Sequence, residues 1–119
     1  MLTSFEITEN VVKALDSKKG SNIKVLKTGD LTVIADYFVI CTANSTTQIK
    51  TLSDEVAKVL SEKGEPPIRV EGYRSGGWVL VDFGCVIVHL FLKEIREFYA
   101  LERLWGDAPE IDISELITD

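Results

Sequence analysis

The sequence predicts a single α/β domain, with a mixed sheet of about five strands flanked by three helices. Residues 37–42 form a continuous apolar run of strand length, followed by a helical pattern and a further strand, which is the order of a βαβ crossover. Residues 78–92 predict a β-hairpin that runs directly into a last helix. With 119 residues and 45% hydrophobic content, the chain is long enough to bury one sizeable core.

Local signals place the first helix and the first strand. Thr3 and Glu6 have the spacing of a capping box, and Gly20 is expected to end the helix that begins there. Residues 23–26 predict a short strand between polar turns, whereas residues 32–35 fit either a strand or a loop.

The second helix has clear signals at both ends. Ser45 and Gln48 form another predicted capping box. This cap explains residues 43–46 better than a phosphate site does, because the stretch lacks glycine and lysine. Gly64 and the Pro-Pro pair after it end the helix, and a strand is predicted at 68–71.

The hairpin has a predictable register. Gly84 and Cys85 fit the two-residue loop of a type II′ turn, whose twist matches that of the flanking strands. This loop length pairs Trp78 with Phe91, and Leu80 with His89. One face of the hairpin is then wholly apolar and is predicted to face the core; it consists of Val79, Val81, Phe83, Val86, Val88 and Leu90.

The other face of the hairpin is the candidate functional surface. It is aromatic and apolar but also contains one acid and the chain's only histidine. A hairpin face exposed to water would be polar, so this face is covered either by a helix of the same chain or by a partner. Three helices can cover two sheet faces only in part, which favours a surface role for Trp78. The face consists of Trp78, Leu80, Asp82, Ile87, His89 and Phe91.

The residues do not predict catalysis. The loop at 75–77 is similar to a nucleotidyltransferase loop, but magnesium chemistry needs two or three carboxylates and only Asp82 follows at a suitable place. His89 is predicted to be a structural or interface histidine, hydrogen-bonded to Asp82, in preference to half of an Asp–His catalytic pair. Cys41 and Cys85 lack metal-ligand spacing and are expected to be reduced thiols. We therefore predict a protein that is not an enzyme and needs no metal or cofactor.

Charge is concentrated at the end of the chain. The last helix is expected from about Lys93 to Gly106, so residues 1–107 are predicted to form the domain and 108–119 an acidic tail. Residues 107–119 contain five acids and no base, so −6 − (−5) leaves −1 for the rest. This balance argues against direct nucleic-acid binding. No apolar run predicts a membrane span or signal peptide, and a cytoplasmic protein is expected.

Taken together, the motifs resemble those of the ribosomal silencing factor family, also called RsfS or Iojap. The resemblance covers nearly the whole chain, as far as Asp107. Its first part is the run A-D-Y-F-V-I-C-T-A at 35–43, followed by Ser45 and Gln48. Its second part consists of Glu71-Gly72, Gly77-Trp78, Asp82, Gly84, the run at 86–89, Arg96, Tyr99, Leu101-Glu102 and Leu104-Trp105.

The resemblance implies a fold similar to that of nucleotidyltransferases, without their catalytic acids. It also implies a homodimer in the free state and binding to the fourteenth protein of the large ribosomal subunit. A factor in that position blocks joining of the small subunit and lowers translation when nutrients are scarce. In organelle relatives the same contact is associated with large-subunit assembly, and that role is an alternative here.

The resemblance also assigns partner-binding residues. Aromatic anchors are expected on the sheet face and the last helix, and two acids would pair with basic side chains of the ribosomal protein. The sequence departs from the family pattern at Cys85, where an aspartate is usual, and at Thr47, where a base is frequent. Two rival hypotheses stay open: a nucleotide-binding enzyme that uses the loop at 75–77, and a purely self-associating domain. The predicted partner-binding residues are Trp78, Asp82, His89, Phe91, Tyr99 and Glu102.

Overall fold

The computed structural model confirms the predicted α/β domain, with a five-stranded mixed sheet and three helices. It describes residues 2–29, 35–74, 77–100, 103, 106 and 108–117, with the backbone alone at 98 and 99. Positions 32–34 of the strand or loop predicted at 32–35 therefore lie outside the described residues. The helices are α1 (Ser4–Ser17), α2 (Thr46–Glu62) and α3 (Lys93–Tyr99). The strands are β1 (Ser21–Lys27), β2 (Tyr37–Ala43), β3 (Arg69–Glu71), β4 (Trp78–Asp82) and β5 (Val86–Leu92).

The sheet has the strand order β1-β2-β5-β4-β3. Its central pair, β2 and β5, is parallel, and the other neighbouring pairs are antiparallel. It follows that β3 runs parallel to β2, so β2, α2 and β3 form the predicted crossover, which passes over two strands. Both central strands are buried on both faces, which explains the continuous apolar runs in their sequences.

Helices cover the two faces of the sheet unequally. α1 and α2 lie on one face and enclose the larger hydrophobic cluster, which includes the core side of the hairpin. α3 lies on the other face, where Ile95 packs against a smaller cluster that includes Phe38, Ile40 and Phe91. The larger cluster, between the sheet and the helices α1 and α2, holds most of the buried hydrophobic residues.

The described part of the acidic segment at 108–117 lies along the outer edge of β1. The backbone N–H of Lys27 donates to the carbonyl of Pro109 (2.8 Å), and the N–H of Ile111 donates to the carbonyl of Val25 (2.9 Å). Ile113 is buried in the larger cluster. The segment therefore pairs with two backbone groups of β1, on an edge that would otherwise be open to other chains.

The start of α1 matches its prediction, whereas its end differs by one residue. The Thr3 hydroxyl accepts from the Glu6 N–H (3.1 Å), and the Glu6 carboxylate accepts from the Thr3 N–H (2.9 Å), which completes the capping box. At the other end Lys19, and not Gly20, takes the left-handed conformation (φ 64°). The N–H of Gly20 donates to the carbonyl of Leu15 (2.9 Å), as in a Schellman motif.

Gly20 is needed for space. A Cβ at this position would lie 2.5 Å from the Sγ of Cys41, which is fully buried on β2. Burial also raises the pKa of the Cys41 thiol to about 12, so this group stays neutral in the core. The glycine lets the turn after α1 pack directly on the sheet.

We expect Gly20→Ala to lower the free energy of unfolding by about 1–3 kcal/mol, because the added methyl overlaps Cys41. In a Cys41→Ala background the same change should cost about 1 kcal/mol less, since the overlapping atom is gone. Urea unfolding of the wild type, both single variants and the double variant measures this coupling. Strictly additive effects of the two substitutions would contradict the proposed overlap.

α2 begins with the predicted cap, although its return bond differs. The Ser45 hydroxyl accepts from the Gln48 N–H (3.0 Å), while the Gln48 carbonyl oxygen accepts from the N–H of Asn44 (2.6 Å) instead of that of Ser45. The amide of Gln48 also donates to the carbonyls of Lys18 and Lys19. Gln48 thus joins the start of α2 to the end of α1. α2 ends at Glu62, and Gly64, which was predicted to end the helix, follows with a left-handed φ of 84°.

Candidate interaction surface

The hairpin of β4 and β5 has the register that its loop length predicts. Trp78 pairs with Phe91, and Leu80 pairs with His89. Gly84 has a φ of 87°, as the first loop position of a type II′ turn requires, and the N–H of Phe83 donates to the carbonyl of Val86 (2.9 Å). The two faces of the hairpin are therefore those that the sequence predicts.

The face that contains Trp78 is covered at β5 and partly open at β4. Ile87, His89 and Phe91 of β5 are buried, whereas Trp78 and Leu80 of β4 are half-buried. α3 covers the first group through Ile95, and a Cβ on Gly77 would already lie 3.4 Å from that side chain. The first alternative thus holds for β5, which a helix of the same chain covers. β4 is left accessible, and its cover by a partner stays a prediction.

His89 braces Trp78 from inside the sheet. Its Nδ1 accepts a hydrogen bond from the indole Nε1 of Trp78 (3.3 Å), in place of the predicted bond to Asp82. The imidazole lies edge-on to Phe38 (centroids 5.0 Å apart) and stacks with Phe91 (6.1 Å). Its Nε2 is buried without a hydrogen-bond partner among the described residues. These surroundings fit a neutral, structural imidazole.

This environment predicts a pH effect on stability. Burial lowers the pKa of His89 from 6.5 to about 4, because the charged ring would lose its hydration. Between these values the unfolded chain binds a proton that the folded chain does not. The free energy of unfolding therefore falls as the pH falls, by at most about 1.4 kcal/mol per pH unit.

Urea unfolding of the wild type and of His89→Phe, at several pH values between about 7 and 5, tests this expectation. His89 is the chain's only histidine, so the substitution removes the titration of interest. The wild type should lose stability more steeply than the variant as the pH falls. Parallel pH profiles would contradict a buried neutral histidine.

Asp82 bonds to residues of its own chain. Its Oδ2 accepts from the Nε of Arg69 on the neighbouring strand β3 (3.1 Å), and its Oδ1 accepts from the N–H of Gly84 (2.7 Å). The first bond is also an ion pair, in which the Asp82 side chain is 12% exposed and that of Arg69 is 61% exposed. Asp82 thus fixes the hairpin turn and holds Arg69 at the rim of the surface.

The accessible part of the face is a shallow groove of about 240 Å³ lined by Glu71, Gly72, Trp78 and Leu80. Glu71 also lies 3.4 Å from Arg69, so two apolar side chains have a charged rim. Sequence analysis missed Arg69 and Glu71. Their alternation in 69–71 puts them on one face, but only the pairing of β3 with β4 brings that face beside Trp78.

The predicted partner-binding residues separate into three groups. Trp78 is accessible in the groove, whereas Asp82 is buried and holds Arg69 at the rim. His89 and Phe91 lie behind Trp78, where they can support a contact without forming its outer surface. Glu102 and the side chain of Tyr99 lie outside the described residues. Their roles in binding stay predictions.

The fold and the motifs agree with those of one protein family. A family model described as "Ribosomal silencing factor during starvation" matches residues 2–119. The chain belongs to this family. Among relatives, the ribosomal silencing factor RsfS of Halalkalibacterium halodurans is 39% identical over 117 residues, which are 98% of this chain and 100% of the relative.

A solved structure and an organelle relative extend the comparison. The crystal structure of a Chromobacterium violaceum protein is 38% identical, covers 88% of each chain, and superposes with a TM-score of 0.86. A mouse protein named "Mitochondrial assembly of ribosomal large subunit protein 1" is 33% identical over 98 residues. The matched residues are 80% of this chain and 43% of the mouse protein.

Among the residues described, no helix is both long and apolar enough to cross a membrane.

Proposed function

We propose that this chain binds the large ribosomal subunit and blocks joining of the small subunit, so that it lowers translation when nutrients are limiting. Family membership supports the ribosomal role, since the bacterial relative carries the name ribosomal silencing factor. The observation that carries the proposal is the position of Trp78, which is half-buried at a groove with a charged rim and is hydrogen-bonded to His89 behind it. Tryptophans with such support are typical anchors of protein interfaces.

The partner that fits this surface is a basic protein of the large subunit, and we propose the fourteenth. Trp78 and Leu80 supply the apolar centre, and Glu71 supplies an exposed acidic group beside it. The chain's net charge of −6 would attract a basic partner at long range and speed its association. We further propose a cytoplasmic protein that is a homodimer when free.

The mode of action that we propose is binding, without catalysis. The loop at 75–77 would need several carboxylates nearby to hold magnesium. The acid that follows this loop, Asp82, accepts hydrogen bonds from Arg69 and from the N–H of Gly84 with its two oxygens. This arrangement favours a steric factor over the rival nucleotide-binding enzyme.

Sedimentation with purified large ribosomal subunits tests the proposal. The protein should co-sediment with large subunits, and small subunits added afterwards should form fewer complete ribosomes than in its absence. Binding without loss of joining would favour an assembly role, which the name of the mouse relative also suggests for that protein. A chain that fails to bind large subunits would refute both roles.

A further inference from the structure

A second concave site lies on the face of the sheet that α3 covers, away from the Trp78 groove. It is a pocket of about 360 Å³ between the start of β1, the end of β2 and α3. Four of its lining side chains are cationic, and we call it the basic pocket. They are Lys24, Lys93, Arg96 and Arg103.

The charge of the basic pocket is opposite to that of the protein. Its lining holds four bases and one acid, Glu97, so its formal charge is +4 − 1 = +3. The whole chain carries −6, so −6 − (+3) leaves −9 for the remaining residues. Within the described part of the chain, Lys24, Lys93 and Arg103 form no ion pair. Cations gathered in this way repel one another, and an anion would relieve that repulsion.

Arg96 forms the floor of the basic pocket, and hydrogen bonds hold it in place. Arg96 is buried, and its Nη1 donates to the carbonyl of Asn22 and to the hydroxyl of Thr42, both at 2.7 Å. Asn22 has a left-handed φ of 47°, at a point where the register of β1 shifts against β2. Such bulges are frequent beside functional sites, where they redirect side chains.

The topology also favours a ligand at this end of the sheet. The parallel strands β2 and β5 lead into helices on opposite faces, because α2 packs in the larger cluster and α3 against the smaller one. In open α/β sheets, ligands bind outside the carboxyl ends of neighbouring parallel strands whose following helices lie on opposite faces of the sheet. Thr42, which lines the basic pocket, is at the carboxyl end of β2.

We propose that the basic pocket binds a small phosphate-bearing anion, whose oxygens accept hydrogen bonds from Lys24, Lys93 and Arg103 above the Arg96 floor. Lysine and arginine are the usual cationic partners of phosphoryl groups. The pocket is concave and small, and the strongly acidic remainder of the chain would repel a long polyanion. A nucleic-acid backbone is therefore a poorer fit than a small molecule.

Titration of the isotope-labelled chain with inorganic pyrophosphate, followed by amide NMR at constant ionic strength, tests the proposal without ribosomes. We expect saturable shifts that are largest at residues 21–24 and 93–97. The double variant K24Q/K93Q changes two exposed or half-exposed side chains and should bind pyrophosphate about tenfold more weakly. The control K13Q/K58Q removes the same charge from exposed positions outside the pocket and should bind like the wild type.

Three results would overturn the proposal. The shifts could fail to saturate, or both double variants could weaken binding equally, which would indicate a general charge effect. A short single-stranded RNA could also bind more tightly than pyrophosphate through the same residues, which would make the pocket a nucleic-acid contact. Because no ribosomal component is present, none of these results bears on large-subunit binding.

Discussion

Replacing Phe91 by alanine is expected to lower the free energy of unfolding by about 3–5 kcal/mol. Phe91 is fully buried on β5, and its ring lies 5.0 Å from that of Trp78 and 6.1 Å from that of His89. Its loss would leave a cavity beneath α3, within the smaller hydrophobic cluster. Urea unfolding followed by far-ultraviolet circular dichroism measures the change.

Phe5→Ala is the matched control, because it makes the same chemical change at an exposed position of α1. Phe5 touches Tyr37 with ring centroids 6.0 Å apart, so the control should cost about 1 kcal/mol. Equal losses in the two variants would contradict the assignment of Phe91 to the buried core on the α3 side of the sheet.

The hairpin could be predicted from sequence because local rules determine it. Glycine at the first position of a two-residue loop suits a type II′ turn, and the loop length fixes every cross-strand pair from Phe83–Val86 to Trp78–Phe91. The helix starts at Thr3 and Ser45 were equally predictable, since a cap joins residues three positions apart.

Long-range packing explains what the sequence did not predict. The turn after α1 gives the left-handed position to Lys19, because Gly20 must lie against Cys41, 21 positions further along the chain. The backbone of Pro109 and Ile111 pairs with β1, a contact between distant segments that periodicity within either segment cannot reveal. The alternation of isoleucine and acid at 110–113 fits that pairing once it is known.

The candidate surface was predicted correctly as a face, whereas its internal bonds were not. Sequence register puts Asp82 and His89 on one face but cannot choose their partners. β3 brings Arg69 to Asp82, and the Trp78 indole supplies the donor that His89 accepts. Each choice depends on a strand edge or a ring orientation, which sequence alone does not define. As a result, Asp82 holds Arg69 at the rim of the groove, and His89 supports Trp78 from behind.

Replacing Trp78 by alanine is expected to weaken binding to large ribosomal subunits by about 30-fold, or about 2 kcal/mol, if the groove is the contact that we propose. Truncation removes the apolar anchor and also leaves the Nδ1 of buried His89 without its indole donor. Quantitative co-sedimentation over a range of protein concentrations measures the affinity, and thermal unfolding shows that the variant is folded at the assay temperature.

Ile68→Ala separates a local effect at the groove from a general loss of apolar surface. Ile68 is 70% exposed and lies just before β3, outside the groove lining. This control should bind large subunits like the wild type. Trp78→Phe keeps an aromatic ring but lacks the indole N–H, so it should recover part of the affinity if packing dominates. A folded Trp78→Ala variant with wild-type affinity would exclude the groove as the ribosomal contact, and large-subunit binding would then have to use another surface of the chain.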